Sequence, residues 1–160
     1  MSFVKYRQIT NADKENVSRI IKENWGSDLV VVHNSIYIAS NLPGFIAEEN
    51  ENIVGLITYY IEDNSCEIVT LDSMKEKCGI GSALINLVKE EAQNNNCTTL
   101  FLITTNDNLH AISFYEKRGF KLTGINKGAV NESRKIKPEI PLIGFNNIPI
   151  TDELKFVMNI

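Results

Sequence analysis

The fold is decided by residues 66 to 104, which read CEIVTLDSMKEKCGIGSALINLVKEEAQNNNCTTLFLIT. The stretch opens with a β-rich run over residues 66 to 71 and closes with a nearly continuous apolar run over residues 98 to 104. Between them, residues 79 to 94 carry apolar side chains at helical spacing and polar side chains on the opposite face. A strand, a helix and a strand in succession predict a right-handed βαβ unit with parallel strands, the second of them central in the sheet.

The segments just upstream of this unit favour antiparallel strands. Residues 45 to 49 and 53 to 61 are rich in β-forming side chains. Short turn-forming segments separate these two runs from each other and from residues 66 to 71. Three strands joined by tight turns predict a β-meander.

The N-terminal segment indicates a strand followed by a helix. Residues 4 to 8 read as a short strand, and the apolar residues that follow recur at helical spacing. Thr10 or Asn11 is expected to cap this helix and Gly26 to end it. Residues 27 to 43 are mixed and favour no assignment.

The C-terminal segment is less regular. Residues 109 to 117 predict a second helix, and residues 120 to 123 indicate a further strand. Pro138 and Pro141 favour an extended segment, and residues 152 to 159 are expected to form a closing edge strand.

The predicted elements form one α+β domain over residues 1 to 160, with three layers and a mixed, mostly antiparallel central sheet that contains the βαβ unit. A chain of 160 residues is long enough for one domain and too short for two ordinary ones. The composition is 43% hydrophobic and 22% charged, which is typical of a globular protein.

Charge and cysteine content exclude several classes of function. A net charge of −4 argues against a nucleic-acid partner, which would require a basic face. The three cysteines have no metal-ligand spacing, so we expect no metal and no disulfide framework. The N-terminus has no apolar signal region, and no run reaches the ~18 apolar residues of a membrane span. We therefore expect a cytoplasmic protein without a membrane partner.

The turn before the first helix of the βαβ unit suits an anion. A helix N-terminus presents unpaired N–H groups and a partial positive charge, and Gly79 and Gly81 let the backbone approach a phosphate. A Gly-x-Gly sequence at the start of a helix is also often a tight turn that binds no phosphate. The sequence has no P-loop motif, and Leu84 stands where a dinucleotide-binding fingerprint would place its third glycine.

Two motifs in order give the sequence its family resemblance. The turn Gly79-Ile80-Gly81-Ser82-Ala83-Leu84 resembles the pyrophosphate-binding motif of the GNAT superfamily of N-acetyltransferases. The run Asn108-x-x-Ala111-x-x-Phe114-Tyr115-Glu116-Lys117-x-Gly119-Phe120 is similar to its second cofactor motif. The resemblance covers about residues 45 to 120 and implies a GNAT-like fold.

The resemblance also implies a co-substrate and its site. Acetyl-CoA would bind in a V-shaped opening between the strands at residues 66 to 71 and 98 to 104. Main-chain groups of Val69 and Leu71 would pair with its pantetheine arm. Its pyrophosphate would lie on the backbone amides of the loop residues, which are Cys78, Gly79, Ile80, Gly81 and Ser82.

One position departs from the family's pattern. The family prefers Gln or Arg three residues before the first glycine of the loop, and this chain has Glu76 there. A carboxylate beside a pyrophosphate is electrostatically unfavourable, and the flanking Lys75 and Lys77 are candidates to compensate it.

The resemblance assigns candidate catalytic roles. Tyr115 would protonate the departing thiolate, although its place on the second helix also fits a core aromatic. Asn108 would contact the pantetheine region, although it also fits a helix cap. Glu67 would act as the base, since strand alternation places it on one face with Val69 and Leu71; an exposed strand carboxylate is the other interpretation.

The remaining candidates are weaker. Asp72 is a second choice for the base. Cys78 occupies a phosphate-loop position without an identifiable base, so we interpret it as a bystander. Trp25, His33, Tyr37 and residues 132 to 143 are expected to line the acceptor pocket.

The activity implied is transfer of an acetyl group to a primary amine of a small molecule or a protein, by direct attack. A non-catalytic acyl-CoA sensor and an interaction module with a vestigial cleft are the alternatives. The distinctive segment 137 to 144 is compatible with a clamp on the sheet edge or with a homodimer contact.

Overall fold

A computed structural model describes residues 3 to 33, 35 to 75 and 78 to 160. Within these residues the strands are β1 (Lys5–Gln8), β2 (Leu29–Val32), β3 (Ser35–Ile38), β4 (Gly44–Glu49), β5 (Asn52–Glu62), β6 (Ser65–Ser73), β7 (Thr99–Thr105), β8 (Lys121–Asn126) and β9 (Glu153–Asn159). The helices of the same residues are α1 (Lys14–Trp25), α2 (Ile80–Asn94), α3 (Leu109–Lys117) and α4 (Ala129–Ile136). In this part of the chain each helix is too short or too polar to cross a lipid bilayer.

The main sheet has the strand order β1-β4-β5-β6-β7-β9-β8 in the described residues, and β2 and β3 form a separate hairpin. The strands β6 and β7 run parallel, with α2 between them in sequence, while the other recorded pairs are antiparallel. The predicted βαβ unit, the meander β4-β5-β6 and the mixed, mostly antiparallel sheet are thereby confirmed.

The sheet is covered on both faces. Along β4, Phe45 and Ala47 pack with the buried residues of α2, whereas Ile46 between them packs with those of α1. The period-two alternation of a strand therefore serves two apolar cores, and β4 is apolar at successive positions for this reason. The hairpin β2–β3 extends the core on the α1 face through Val30 and Tyr37.

Two expectations for the C-terminal segment are wrong. The strand β9 is not at an edge, because it inserts between β7 and β8, and its Leu154 and Phe156 are buried. The exposed strand β8 forms that edge instead. The segment around Pro138 makes turns rather than an extended run, and it follows the helix α4, which the sequence did not predict.

One ion-pair network fixes the start of α1 against the sheet. The guanidinium of Arg7 on β1 donates to both carboxylate oxygens of Asp13 at 2.7 Å and to Glu48 on β4 at 2.7 and 3.0 Å. Asp13 is buried, and its carboxylate also accepts from the Thr10 backbone N–H at 2.7 Å. The Arg7 guanidinium holds the pKa of the Asp13 carboxyl well below its usual range.

Asp13→Asn is expected to lower the free energy of unfolding by about 2 kcal/mol at pH 7, because it removes charge-assisted hydrogen bonds from a buried group. A lowered pKa in the folded state stabilises the protein above the unfolded-state pKa of about 4 and ceases to do so as pH falls. Urea unfolding should therefore show that the difference in free energy of unfolding between wild type and Asp13→Asn narrows below pH of about 4. The exposed Asp63 gives the matched control Asp63→Asn, and an equal loss there would contradict the account.

Candidate active site

The pairing of β6 with β7 stops partway along both strands. Their parallel register runs from Ser65 opposite Thr99 to Ile68 opposite Leu102, and no later pair follows. Beyond these points β6 continues to Ser73 and β7 to Thr105. The two strands therefore diverge into the V-shaped opening that the resemblance implied, and no strand of the described residues pairs with that main-chain edge of β6 there.

A bulge lies at the start of this opening. Thr70 pairs with Thr58 on β5, and Ile68 pairs with the next residue, Tyr59, so Val69 is left without a partner. An extra residue on one strand shifts the alternation of every later side chain. Val69 packs in the core on the α1 face, whereas Leu71 packs in the core on the α2 face. The expectation that Glu67, Val69 and Leu71 share one face is wrong for Leu71.

The start of α2 has free hydrogen-bond donors. Gly79 precedes the helix with φ +71°, a conformation that favours glycine. The first backbone bond of the helix runs from Ala83 N–H to Gly79 C=O. Among the described residues, the N–H groups of Ile80, Gly81 and Ser82 have no hydrogen-bond partner. Three donors and the positive end of a 15-residue helix thus lie together at this turn.

Gly81 has a packing reason to be glycine. A Cβ at this position would lie 2.9 Å from Cζ of Phe114 on α3. The absence of a side chain at Gly81 therefore allows α3 to pack closely on α2. This packing role differs from the expected one, in which Gly81 lets the backbone approach a phosphate.

Arg118 brings a positive charge to the same place. Its Nε donates to Ser82 Oγ at 2.7 Å, one of its terminal N–H groups donates to Phe114 C=O, and its guanidinium lies 3.4 Å from the centroid of the Phe114 ring. Arg118 was not among the site residues predicted from the sequence. The sequence feature that could have identified Arg118 is its position near the end of the second motif, because that motif packs on the glycine turn.

The structure describes only some of the residues around position 76, where this chain departs from the family's pattern. Glu76 and Lys77 lie outside the described residues. Lys75 pairs with Glu49 on β4 at 2.9 Å, so its charge is directed to that carboxylate. Cys78 is an exposed free thiol next to the turn.

Tyr115 and Asp72 are electrostatic neighbours at the opening. Tyr115 is buried between Phe114 and Phe120, and burial followed by the Asp72 charge raises its pKa. Burial also raises the pKa of Asp72 to about 6, and the Trp25 indole N–H donates to both its oxygens at 3.1 and 3.2 Å. Asn108 caps α3 by accepting from the Ala111 N–H at 3.2 Å, as the capping interpretation predicted.

Glu67 is 3% exposed and is bound by the β2–β3 hairpin. His33 Nε2 lies 3.1 Å from each of its carboxylate oxygens, and the Tyr37 hydroxyl donates to Oε1 at 2.7 Å. The interpretation of Glu67 as an exposed strand carboxylate is therefore wrong. His33 and Tyr37, two of the residues expected to line the acceptor pocket, thus contact the candidate base.

A second buried carboxylate completes this polar cluster. Glu153, at the start of β9, is 4% exposed, and both its oxygens accept from the His33 backbone N–H at 3.1 Å. Burial raises its pKa. Glu153 was not predicted as a site residue, because β9 was expected at an edge of the sheet and lies between β7 and β8.

Cavities flank His33 on two sides. One, of about 410 Å³, lies between His33, Glu153 and the start of α4. The other, of about 300 Å³, is lined by His33, Tyr37, Glu67 and Phe101 with the β5–β6 turn.

The acetyltransferase (GNAT) family model matches residues 6 to 120, which is most of the chain. The chain belongs to the GNAT acetyltransferase family. The chain is an acyltransferase of this family. It is 46% identical over 145 residues to the uncharacterized protein YxbD of Bacillus subtilis, covering 90% of this chain and 91% of that protein.

Solved structures share the fold of this GNAT protein. A GNAT family acetyltransferase of Elizabethkingia anophelis with acetyl-CoA bound has a TM-score of 0.73 at 19% identity and covers 98% of both chains. An IAA acetyltransferase of Bacillus cereus has a TM-score of 0.74 at 16% identity, covering 99% of this chain and 100% of that one. The expected GNAT fold is thereby confirmed.

Gly81→Ala is expected to lower stability by about 1 kcal/mol, because overpacking against Phe114 costs about 1–3 kcal/mol and outweighs the helix propensity of alanine. In a Phe114→Leu background the same change should become neutral or stabilising, since the ring is gone. Thermal unfolding of the four proteins in the double-mutant cycle measures this reversal. Equal effects of Gly81→Ala in both backgrounds would contradict the packing role.

Proposed function

We propose that this GNAT protein transfers the acetyl group of acetyl-CoA to a primary amine of a small molecule or a protein by direct attack. One observation carries the proposal: the free N–H groups at the start of α2 lie in the same βαβ unit as the opening between β6 and β7. A single elongated ligand with a phosphate part and an amide-containing arm would use both.

The phosphate part fits the α2 turn. The N–H groups of Ile80, Gly81 and Ser82 are available to an anion, and a side chain at Gly79 would meet only open space. Arg118 keeps N–H groups of its guanidinium that no described residue accepts. The pyrophosphate of CoA would therefore lie on Cys78 to Ser82, with Arg118 adding the positive charge that Glu76 does not supply.

The pantetheine arm fits the free edge of β6. Amide groups along such an arm pair with main-chain N–H and C=O groups as an added strand would. Val69 and Leu71 lie where β7 has left this edge. The acetyl-CoA-bound relative from Elizabethkingia anophelis, which shares the fold, supports this choice of ligand.

Acetyl-CoA supplies an activated acyl group as a thioester, and the protein's own residues manage the protons. Tyr115 has a raised pKa, so its phenol stays protonated and can donate to the departing sulfur. Asn108 lies at the start of the same helix and would contact the pantetheine arm near the thioester. Glu67 supplies the carboxylate on which removal of the amine proton depends.

The catalytic role of Tyr115 is tested by Tyr115→Phe. The variant should lose about 10²-fold in kcat, because general acid catalysis contributes about 10²–10⁴-fold, while the KM for acetyl-CoA stays near the wild-type value. CoA release is measured against polyamines, aminoglycosides, amino acids and peptides. Tyr6→Phe on the edge strand β1 is the matched control.

The outcomes separate the alternatives. Acetyl-CoA should raise the melting temperature, since a ligand of the native state stabilises it. A raised melting temperature without CoA release from any amine would favour a sensor and refute the transferase. An unchanged rate in Tyr115→Phe would refute the acid role alone.

A further inference from the structure

His33 lies in the turn of the β2–β3 hairpin in an uncommon backbone conformation. Its φ is +37°, in the left-handed region that few non-glycine residues adopt. Both oxygens of Glu153 hold its backbone N–H, and both oxygens of Glu67 hold its ring. Two buried carboxylates from two strands thus fix one histidine, which is more than the closure of a hairpin requires.

The hydrogen bonds define which ring nitrogen is basic. Nε2 faces a carboxylate, which accepts hydrogen bonds only, so Nε2 carries the proton in the neutral ring. The lone pair then lies on Nδ1. Its one hydrogen-bond partner among the described residues is the Ser35 hydroxyl, at the long distance of 3.3 Å.

Glu67 itself is poorly placed to meet an amine. It is 3% exposed, and its oxygens already bind His33 and Tyr37. The His33 side chain, in contrast, is 34% exposed and lines both flanking cavities. An acceptor in the first cavity therefore meets the imidazole and not Glu67, and in the second cavity it meets both side chains, of which the imidazole is the more exposed.

We infer that His33 Nδ1 takes the proton from the acceptor ammonium, and that Glu67 is a positioning residue that holds the imidazole through Nε2. This inference rests on the proposed acetyl transfer. It assigns proton removal to a residue of the hairpin, which the family motifs do not include.

Acetyl transfer from acetyl-CoA to an ammonium ion releases one proton overall. One proton leaves the ammonium for His33 Nδ1 and passes to solvent through the cavities. The neutral nitrogen then forms its bond to the carbonyl carbon as the carbon–sulfur bond breaks. The sulfur takes a proton from Tyr115, and the second proton that the nitrogen loses returns to the tyrosine. The products are the amide, the CoA thiol and one released proton.

The charges around the ring set the pH dependence. The Glu67 carboxylate, by its hydrogen bond, raises the pKa of His33 against the effect of burial, and Glu153 adds to the rise. The neutral form is required for this proton transfer, so activity should rise as pH rises through this elevated pKa and fall below it. The other charged groups lining the two cavities are Lys127, Glu132, Lys155, Glu62 and Asp63.

The first test is an NMR titration of the free enzyme. The chain has two histidines, His33 and the exposed His110, so His33→Asn assigns both signals. Asparagine tolerates the left-handed backbone conformation. We expect the His33 pKa to lie above the usual value, to fall in Glu67→Gln, and the neutral ring to carry its proton on Nε2. A proton on Nδ1, or a pKa that does not move in Glu67→Gln, overturns the inference.

The second test compares kcat/KM of wild type and His33→Asn from pH 5 to 9 with one active amine. The ratio cancels the titration of the amine itself. The ratio of wild-type kcat/KM to that of His33→Asn should rise about tenfold per pH unit below the His33 pKa. Above this pKa it should level off at about 10². His110→Asn is the matched control and should leave the profile unchanged, and in Glu67→Gln the rising limb should move to lower pH.

The outcomes distinguish the two claims. A ratio independent of pH in an active enzyme overturns the role of His33 and leaves the transferase intact. A wild-type enzyme that releases no CoA with any amine overturns the proposed function and the proton transfer together.

Discussion

The interruption of the parallel pairing between β6 and β7 is the constraint on which the rest of the site depends. β7 is held along its whole length by β9, from Thr99 opposite Asn159 to Thr105 opposite Glu153. β6 is held by β5 beyond the bulge, up to Ser73 opposite Gly55. Each strand therefore has an antiparallel partner on its outer side, which lets the pair separate at Ile68 and Leu102 without leaving either strand unsupported. The opening is therefore a consequence of the strand pairing in the sheet.

The two sides of the sheet then take separate tasks. On the α2 side, Gly81 lets Phe114 approach, and this contact brings Arg118 to the turn that offers free N–H groups. On the α1 side, the hairpin and β9 enclose Glu67 and Glu153 around His33. Binding of an anion and removal of a proton thus rely on opposite cores. A substitution in the core on the α2 side should therefore affect anion binding more than proton removal, and a substitution on the α1 side should do the reverse.

The local patterns of the sequence predicted the elements better than their places in the sheet. The helix α3 has the predicted bounds, because its apolar spacing and the Asn108 cap are local signals. The order of β8 and β9 was not predictable, since both are short strands and their order depends on contacts far apart in sequence. The bulge at Val69 leaves no mark in the composition of β6, so the face of Leu71 was wrongly predicted. The strands β2 and β3, in the segment that favoured no assignment, form a hairpin, and its His33 and Tyr37 could be recognised as site residues only from their contacts with Glu67.

The central claim is that one ligand, acetyl-CoA, occupies both the α2 turn and the free edge of β6. Hydrogen–deuterium exchange with and without acetyl-CoA tests this most directly, because it reports on backbone amides residue by residue. The account predicts slower exchange in two segments at once, residues 69 to 72 and 79 to 83, with little change in β1 and the β8 edge. Protection of only one of these segments, or of neither while the ligand is bound, would contradict it.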